Sequence, residues 1–519
     1  MPSAILASAQ EQANGIINEA HQAAKTTSLE DDAVPEGDSI PTHALGVKPL
    51  GNCFLSECPN AKINSGTWGA LPDEMVMLVL EQMDVRSLLS LGSTCLHGPC
   101  AVSVACAYAG LYLKSPRDMK ANGLLRYSLS TEASRSLKWR GSWRSTLLAI
   151  SKTQQAVVDC GNVFSDVLHR PFACSNITLS NFTSNIPKAN QIRRMENLSY
   201  EQYADRWTEK PFVLTKCIQG WPVMSEWTIE KLLDAFRSVE FRAEAVDWTM
   251  ERYCEYMKDN RDESPLYLFD RKFAEKMNLR VGHEDGAAYW RPDCFGPDLF
   301  EVLGDERPAH RWLIIGPERS GSTFHKDPNG TSAWNAVIQG SKYWIMFPPK
   351  AQVPGVYVSE DSSEVTSPLS IAEWLLTFHE EARELPDCIE GICHAGEILH
   401  VPSGWWHLVV NLESGIALTQ NFVPQTPGLN LLSEVLLFMR DKADQVSGFG
   451  CNIERPYELF RERLGQKYPD VLERALELAD KKSGKKRKWD AVIGKEAESP
   501  GSGAGFSFGF GGGDDEDIP

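Results

Sequence analysis

The chain has 519 residues, of which 42% are hydrophobic, and a formal net charge of −18. That length suffices for two or more domains, since single cores seldom grow past roughly 250–300 residues, and the hydrophobic content is ordinary for a folded, soluble protein. The acidity argues against general affinity for nucleic acid, whose phosphates demand clustered lysine and arginine, so no DNA binding is expected, and it suits a basic protein substrate.

The opening residues, MPSAILASAQEQANGIINEA, lack a basic start followed by a sustained apolar core, so no signal peptide is expected. No uninterrupted apolar run approaches the length of a membrane span, and no membrane partner is expected. Residues 1–65 are polar and rich in Ala, Ser, Asp and Glu without a lasting apolar period, which predicts mostly disorder, with a short helix over Glu11–Lys25. Thirteen cysteines are an odd count for a disulfide framework, and the pairs Cys53/Cys58, Cys95/Cys100 and Cys388/Cys393 lack the tighter spacing of a zinc knuckle. Reduced, mostly buried thiols of an intracellular protein are the expectation.

Composition changes at Trp68. Apolar residues then recur at helical spacings, Leu71, Met75 and Leu78, followed by Leu88, Leu89 and Leu91. Pro72 suits a first helical turn and Asp84 is placed to cap a second helix, giving a small all-α module over residues 66–150. The order LPDE, apolar helix, then a second helix D-x-x-S-L-L-S-L resembles the F-box, which implies docking on the Skp adaptor of cullin ubiquitin ligases. A helical extension merely packed on the rest of the chain remains the plainer account.

From Trp139 onward helical and β-like runs alternate. Helices are predicted around Ser199–Trp207 and Thr228–Phe236, with the strand-like PFVLTKCI between them. From about residue 264 short strands dominate: PLYLFD, HRWLIIGP, TSAWNAVIQG, SKYWIMFPP, GEILHVPSG, WWHLVVNL and GIALTQNFV, punctuated by Gly and Pro. Many short strands with turns between them predict a barrel or double-sheet jelly roll. Two helical patterns follow, near Leu429–Ala443 and Pro456–Ala479, and then the basic run Lys481–Trp489, a Gly/Phe tract and the acidic end DDEDIP.

Within the strand-rich part, STFHKDPNG holds His325 and Asp327 two residues apart, and on an extended strand such residues point to the same side. In VPSGWWHLVVNL a Pro-Ser-Gly turn delivers a strand bearing His407. Two imidazoles and one carboxylate make the facial triad of non-heme iron(II) oxygenases, leaving positions for a chelating keto acid such as 2-oxoglutarate and for dioxygen. A chelating cosubstrate needs an anchor for its far carboxylate, and Lys342 in SKYWIMF offers that charge. Thr419, which alternates with Asn421 onto one face of IALTQNFV, offers a hydrogen bond to the same group. Asn335 is a polar residue inside the apolar strand TSAWNAV, and such a residue in a core usually has a partner. Taken singly, each residue has a blander account: H-x-D arises by chance, a lone core histidine is more often structural, and a strand lysine commonly snorkels. The joint arrangement favours the metal centre.

GPERSGSTFHKDPNGTSAWNAVIQGSKYWIMFPP and GEILHVPSGWWHLVVNLESGIALTQNFV resemble the two halves of a Jumonji-C domain, in the branch of the bifunctional arginine demethylase and lysyl hydroxylase. The likeness extends upstream through ENLSYEQYADRW, KPFVLTKCIQGWP and SPLYLFD, and covers about residues 190–425. It implies an α+β fold built on a double-stranded β-helix (jelly roll/cupin) barrel with flanking helices, here preceded by the F-box-like module. It places the metal ligands on His325, Asp327 and His407. Cosubstrate contacts fall on Lys342, Thr419, Asn335 and Tyr267 of PLYLF, and a family hydroxyl position three before the first histidine falls on Ser322, beside Thr323. Trp334, Trp405 and Trp406 are expected to be packing. The domains expected are a mostly disordered 1–65, an F-box-like 66–150, a Jumonji-C domain 151–425, C-terminal helices 426–480, and a basic run with a disordered tail 481–519.

The resemblance implies iron(II), 2-oxoglutarate and dioxygen as cofactor and cosubstrates. The activity implied is hydroxylation of a lysyl side chain in a basic nuclear protein of histone or splicing type, with N-methyl demethylation of arginine or lysine close behind. The rival is an F-box adaptor that uses the domain only to bind proteins for ubiquitylation, against which the intact triad and Lys342 speak. The C-terminal helices are a place for a homodimer contact. The run KKSGKKRK reads as a nuclear localisation signal, with the cytoplasm a second location.

Overall fold

The strand-like runs of the second half do form strands, and their connections decide the architecture. The computed structural model describes residues 40–64, 69–81, 138–141, 146, 159–244, 246–359, 365–368 and 370–493, with side chains to 482 save at 64, 77, 80 and 81. In chain order the first strands are β1 (Arg193–Met195), β2 (Phe212–Leu214), β3 (Glu240–Ala243), β4 (Val246–Thr249) and β5 (Leu268–Asp270). Next come β6 (Arg311–Gly316), β7 (Gly321–His325), β8 (Ser332–Gln339), β9 (Ser341–Phe347), β10 (Tyr357–Val358) and β11 (Val365–Thr366). Last are β12 (Ile389–His394), β13 (Ile398–Val401), β14 (Trp406–Asn411) and β15 (Gly415–Phe422).

These strands make a nine-stranded sheet, β1-β2-β13-β8-β15-β6-β5-β3-β4, a four-stranded sheet, β12-β9-β14-β7, and the two-stranded β10-β11. None of them closes into a barrel. The nine-stranded sheet ends at β1 and β4 and the four-stranded sheet at β12 and β7, so the expected double-stranded β-helix (cupin) barrel is corrected to an α+β fold of open sheets. Closure needs a ladder of backbone hydrogen bonds at about 4.8 Å spacing all the way round. Here side chains join the two larger sheets, helped by one isolated bridge before β1, where the Ile192 N–H donates to the Glu390 carbonyl of β12 and the Glu390 N–H donates to the Asn190 carbonyl.

Ala333 and Val337 of β8, Leu399 and Val401 of β13, Trp344 and Met346 of β9, and Val409 of β14 form one buried cluster between the two sheets. A second cluster covers the outer face of the four-stranded sheet. There Tyr343, Ile345, Leu408 and Val410 meet Trp374 and Leu375 of the helix Ile371–Glu384. A third covers the outer face of the nine-stranded sheet, with Trp334, Ala336, Leu313 and Leu418 against Trp221, Tyr253 and Phe273. Covered on both faces, β8 and β9 carry almost unbroken apolar runs instead of strict alternation. Trp334, Trp405 and Trp406 are packing residues, as expected.

The helix predicted around Ser199–Trp207 begins with a capping box from Ser199 and Gln202, and the next, Ile229–Phe236, is capped by Thr228. The C-terminal helices Asn430–Asp441, Pro456–Lys467 and Pro469–Ile493 pack with Leu299, Phe300 and Leu303 in a cluster of their own. The single pattern read over Pro456–Ala479 is two helices. Tyr468 leaves helical geometry (φ −138°, ψ 65°), and Pro469, which has no N–H to donate, starts the second. That second helix carries the basic run on its backbone as far as Ile493.

Toward the N-terminus, Val47 packs with Cys160, Val163 and Leu168. The helix Asp73–Glu81 follows Pro72 as predicted, and its Asp73 accepts hydrogen bonds from Ser165 and Lys62. Most of the rest of the F-box-like module, Asp84 included, and the helix predicted over Glu11–Lys25 lie outside the described residues, whereas Trp139 near the module's end is buried in the cluster of Trp221 and Tyr253. The described cysteines are free thiols, and among the described residues no helix is long and apolar enough to cross a membrane.

Candidate metal centre

Strand alternation turns one set of residues from each large sheet into the space between them. From the four-stranded sheet these include Lys342, Trp344 and Met346 of β9, paired in register with Asn411, Val409 and His407 of β14. From the nine-stranded sheet Asn335 of β8 lies between Leu399 of β13 and Thr419 of β15. All the residues singled out in the sequence belong to these two facing surfaces or to the loop at their end.

His325 of β7 sits directly opposite His407 of β14, with ring centroids 4.1 Å apart. Asp327 follows at the strand end in extended geometry (φ −62°, ψ 146°). One ligand atom from each of His325, Asp327 and His407 lies within 4.8 Å of the other two, so the three can hold one metal ion. The register shifts beside them: two steps along β14, from His407 to Val409, match three along β7, from His325 to Ser322. Because directly opposed residues share a face, this bulge brings Ser322 to the inward face that carries His325.

Each imidazole is oriented by a backbone carbonyl two residues back. Nδ1 of His325 lies 2.8 Å from the Thr323 oxygen, and Nδ1 of His407 lies 3.1 Å from the Trp405 oxygen. A neutral ring that donates through Nδ1 presents the lone pair of Nε2, the ligating form. Burial pushes His407 down to about 4. Burial, with His407 as the next cause, pushes His325 down to about 4 as well, so both rings are neutral near pH 7. Burial pushes Asp327 up to about 6, against the opposing influence of His325 and a hydrogen bond from Asn421. Its Oδ2 is buried without a hydrogen-bond partner. An unpaired buried carboxylate oxygen facing two neutral imidazoles is a site that a divalent cation completes. The donor set, two nitrogens and one oxygen, is consistent with iron(II).

About 13 Å further along β9, four residues from Met346 at the strand's usual rise, stands Lys342. It is 2% exposed, and Nζ donates to the Tyr267 hydroxyl at 2.6 Å and to Asn411 Oδ1 at 2.7 Å. Asn411 Nδ2 in turn donates to Ser320 Oγ at 2.9 Å. Among the described residues no carboxylate pairs with this ammonium, and burial holds it down at about 7. A buried lysine with three N–H donors and two neutral acceptors is ready for an anion. The pocket wall is shaped by Gly316, where a Cβ would lie 2.2 Å from Ser320 Oγ and 2.7 Å from the Tyr267 ring. Asn335 Oδ1 is buried without a partner, whereas the Thr419 hydroxyl donates to the Trp334 carbonyl at 2.9 Å.

Sequence reasoning missed Asn411, Ser320 and the part played by Asn421. Asn411 carried a usable signal, an amide at the end of the apolar run WHLVV on the face of His407. Ser320 and Gly316 carried none, because their role depends on a loop folding back.

A family model described as a cupin-like domain matches residues 233–426. The "Arginine-specific demethylase JMJ22" of Arabidopsis thaliana is 35% identical over 450 residues, which cover 84% of this chain and 84% of that protein. The "Lysine-specific demethylase JMJ21" of the same plant is 33% identical over 377 residues, 69% of this chain and 37% of the relative. The "Bifunctional arginine demethylase and lysyl-hydroxylase psr-1" of Caenorhabditis elegans is 36% identical over 256 residues, 46% of this chain and 62% of the relative.

Proposed function

The chain belongs to the Jumonji-C family of iron(II)- and 2-oxoglutarate-dependent oxygenases, and on that footing we propose that it hydroxylates a lysyl side chain of a basic nuclear protein. That it is a dioxygenase acting on protein follows from the family and the triad together. The residue type is our reading, and removal of N-methyl groups from arginine or lysine stands next to it. The observation that carries the chemistry is the pairing of the His-Asp-His cluster, His407 buried and His325 and Asp327 half-buried, with a buried lysine that has no carboxylate of its own, on one inward surface.

Iron(II) with 2-oxoglutarate and dioxygen supplies an oxidant that converts a C–H bond to C–O–H, yielding succinate and carbon dioxide. His325, Asp327 and His407 would hold the metal from one side. Lys342, steadied by Asn411 and helped by Tyr267, would bind the far carboxylate of the cosubstrate, with Thr419 beside it adding a hydrogen bond once its hydroxyl turns from the Trp334 carbonyl. Ser322 and Asn335 would border the same space, Asn335 offering an acceptor that lacks a protein partner. Half-buried His325 and Asp327 leave the cluster within reach of a protein side chain, while burial of His407 and Lys342 keeps bulk water from the cosubstrate's side of it. Nothing in this machinery distinguishes a side-chain carbon from an N-methyl carbon. On the first, oxygen insertion leaves a stable alcohol, and on the second the hydroxymethyl amine collapses to formaldehyde and a free N–H. The bound position of the target carbon decides. Two relatives are named for arginine demethylation, one of them also for lysyl hydroxylation, which supports both outcomes.

The test is mass spectrometry of lysine- and arginine-rich proteins, methylated and unmethylated, incubated with the iron-loaded enzyme. We expect one added oxygen on lysine. Loss of methyl groups with formaldehyde and no added oxygen would transfer the assignment to demethylation. Nuclear entry through residues 481–488, with part of the protein in the cytoplasm, is a further proposal; it fails if deleting that run leaves a tagged protein in the nucleus. Docking of residues 66–150 on a Skp adaptor is supported by sequence pattern alone, and a pull-down with Leu88→Asp as control decides it. Pairing of two copies through the C-terminal helices is checked by sedimentation.

A further inference from the structure

The turn that carries Asp327 is held at every residue. Thr331 Oγ1 donates to the Pro328 carbonyl at 2.9 Å and accepts from Asn421 Nδ2 at 2.9 Å, and Ser403 Oγ donates to the Gly330 carbonyl at 2.7 Å. Those partners belong to the turn itself, to β15 and to the turn before β14. The remaining tie comes from elsewhere. Asn329 Nδ2 donates to the Ser447 carbonyl at 2.9 Å, and Asn329 Oδ1 accepts from the Ser447 N–H at 3.0 Å. Ser447 lies between the helices Asn430–Asp441 and Pro456–Lys467, in a segment whose Val446 and Phe449 pack against the cluster of C-terminal helices.

Asn329 is 4% exposed and sits in the left-handed region at φ 56°. A turn that needed only this backbone angle would be served by glycine. What asparagine adds is an amide that satisfies both backbone groups of a single distant residue. The same segment is fastened a second time, where the Ala309 N–H donates to the Gly448 carbonyl at 2.7 Å on the approach to β6. Val435 of the helix Asn430–Asp441 also borders the turn, lying 3.9 Å from where a Cβ on Gly330 would be. The segment Val446–Gly450 therefore spans from the turn bearing one metal ligand to the start of a strand that flanks the inner space.

We propose that Asn329 is a positioning residue for Asp327, and that its clasp on Ser447 makes the C-terminal helices part of the metal centre. The proposal rests on the reading of His325, Asp327 and His407 as metal ligands. A carboxylate two residues from a fixed clasp enters the binding geometry with less freedom to lose. By linkage, metal binding must tighten the clasp as much as the clasp tightens metal binding.

Full-length apoprotein is titrated with Mn(II), a redox-stable stand-in of the same charge, with bound metal followed by electron paramagnetic resonance. Asn329→Gly keeps the backbone angle and removes both hydrogen bonds, and should weaken Mn(II) binding about tenfold. Leu168→Ala, in the separate cluster with Val47, Cys160 and Val163, should lower the melting temperature and leave Mn(II) affinity unchanged. Hydrogen exchange on the wild type should show residues 446–450 slowing when Mn(II) is added. Equal affinity of Asn329→Gly and wild type overturns the proposal. Should that variant not fold, unchanged exchange at residues 446–450 overturns it instead. Wild type that takes up no Mn(II) sinks the metal reading itself, and this inference with it.

Discussion

At the scale of single residues, the lysine is the most exposed to test. Truncating one member of a buried charge pair typically costs about 2–5 kcal/mol, so Lys342→Met should raise the KM for 2-oxoglutarate on the order of 30-fold or more. Turnover of 2-oxoglutarate to succinate measures it, and an unchanged KM would remove Lys342 from the pocket. The pH dependence follows from its burial. Folded Lys342 titrates at about 7, whereas an unfolded lysine titrates near ~10.4. Between those values the unfolded chain holds the extra proton, so the cosubstrate-free protein gains stability as pH rises across that window. Only the ammonium binds a carboxylate, so 2-oxoglutarate binding takes up a proton and weakens as pH rises above about 7, by at most about tenfold per unit. Calorimetry near pH ~8 in two buffers of different ionisation enthalpy should show this uptake. Equal heats in the two buffers would contradict it. Asp327→Ala, by contrast, should abolish succinate formation at every pH, because it removes a ligand and not an anchor.

At the scale of elements, close approach of two strands fixes the pair of histidines. A Cβ on Gly321 would lie 1.9 Å from the Val409 carbonyl oxygen, in the ladder that sets His325 opposite His407. Gly321→Ala should therefore push β7 away from β14, costing about 1–3 kcal/mol and weakening metal affinity together. Thermal melting and Mn(II) titration on the same sample check it, and loss of stability with normal metal uptake would show that the pairing tolerates the shift. Much at this scale was legible in the sequence. The runs around Arg311–Gly316, Ser332–Gln339, Ser341–Phe347, Trp406–Asn411 and Gly415–Phe422 read as strands and are strands. The helix Ile371–Glu384 was not read, although Ser370 caps it and Ile371, Trp374 and Leu375 keep its apolar period. Other features left no local signal. Alternation says which side chains share a face but not whether sheet edges meet, so open sheets and a closed barrel share one pattern. The bulge that turns Ser322 inward depends on the register with β14, and the clasp between Asn329 and Ser447 joins residues 118 apart.

At the scale of the whole molecule, the net charge of −18 can be set to use. An acidic enzyme attracts a lysine- and arginine-rich substrate over distances comparable to the Debye length, about 10 Å at 0.1 M salt, and that attraction fades as salt rises. The small anionic cosubstrate gains nothing from the overall field, because its local partner is the buried Lys342. The two binding events should therefore separate with ionic strength. Between about 0.05 and 0.5 M salt, kcat/KM for a basic protein substrate should fall severalfold, chiefly through slower association. Substrate-independent conversion of 2-oxoglutarate to succinate should stay nearly constant over the same range, since the lysine that anchors the cosubstrate is screened by burial. Measuring both on one preparation keeps salt effects on folding out of the comparison, because loss of structure would depress the two rates together. A basic-substrate rate that holds steady from low to high salt would mean that contacts near the reacting carbon, and not the acidity of the chain, select the protein it modifies.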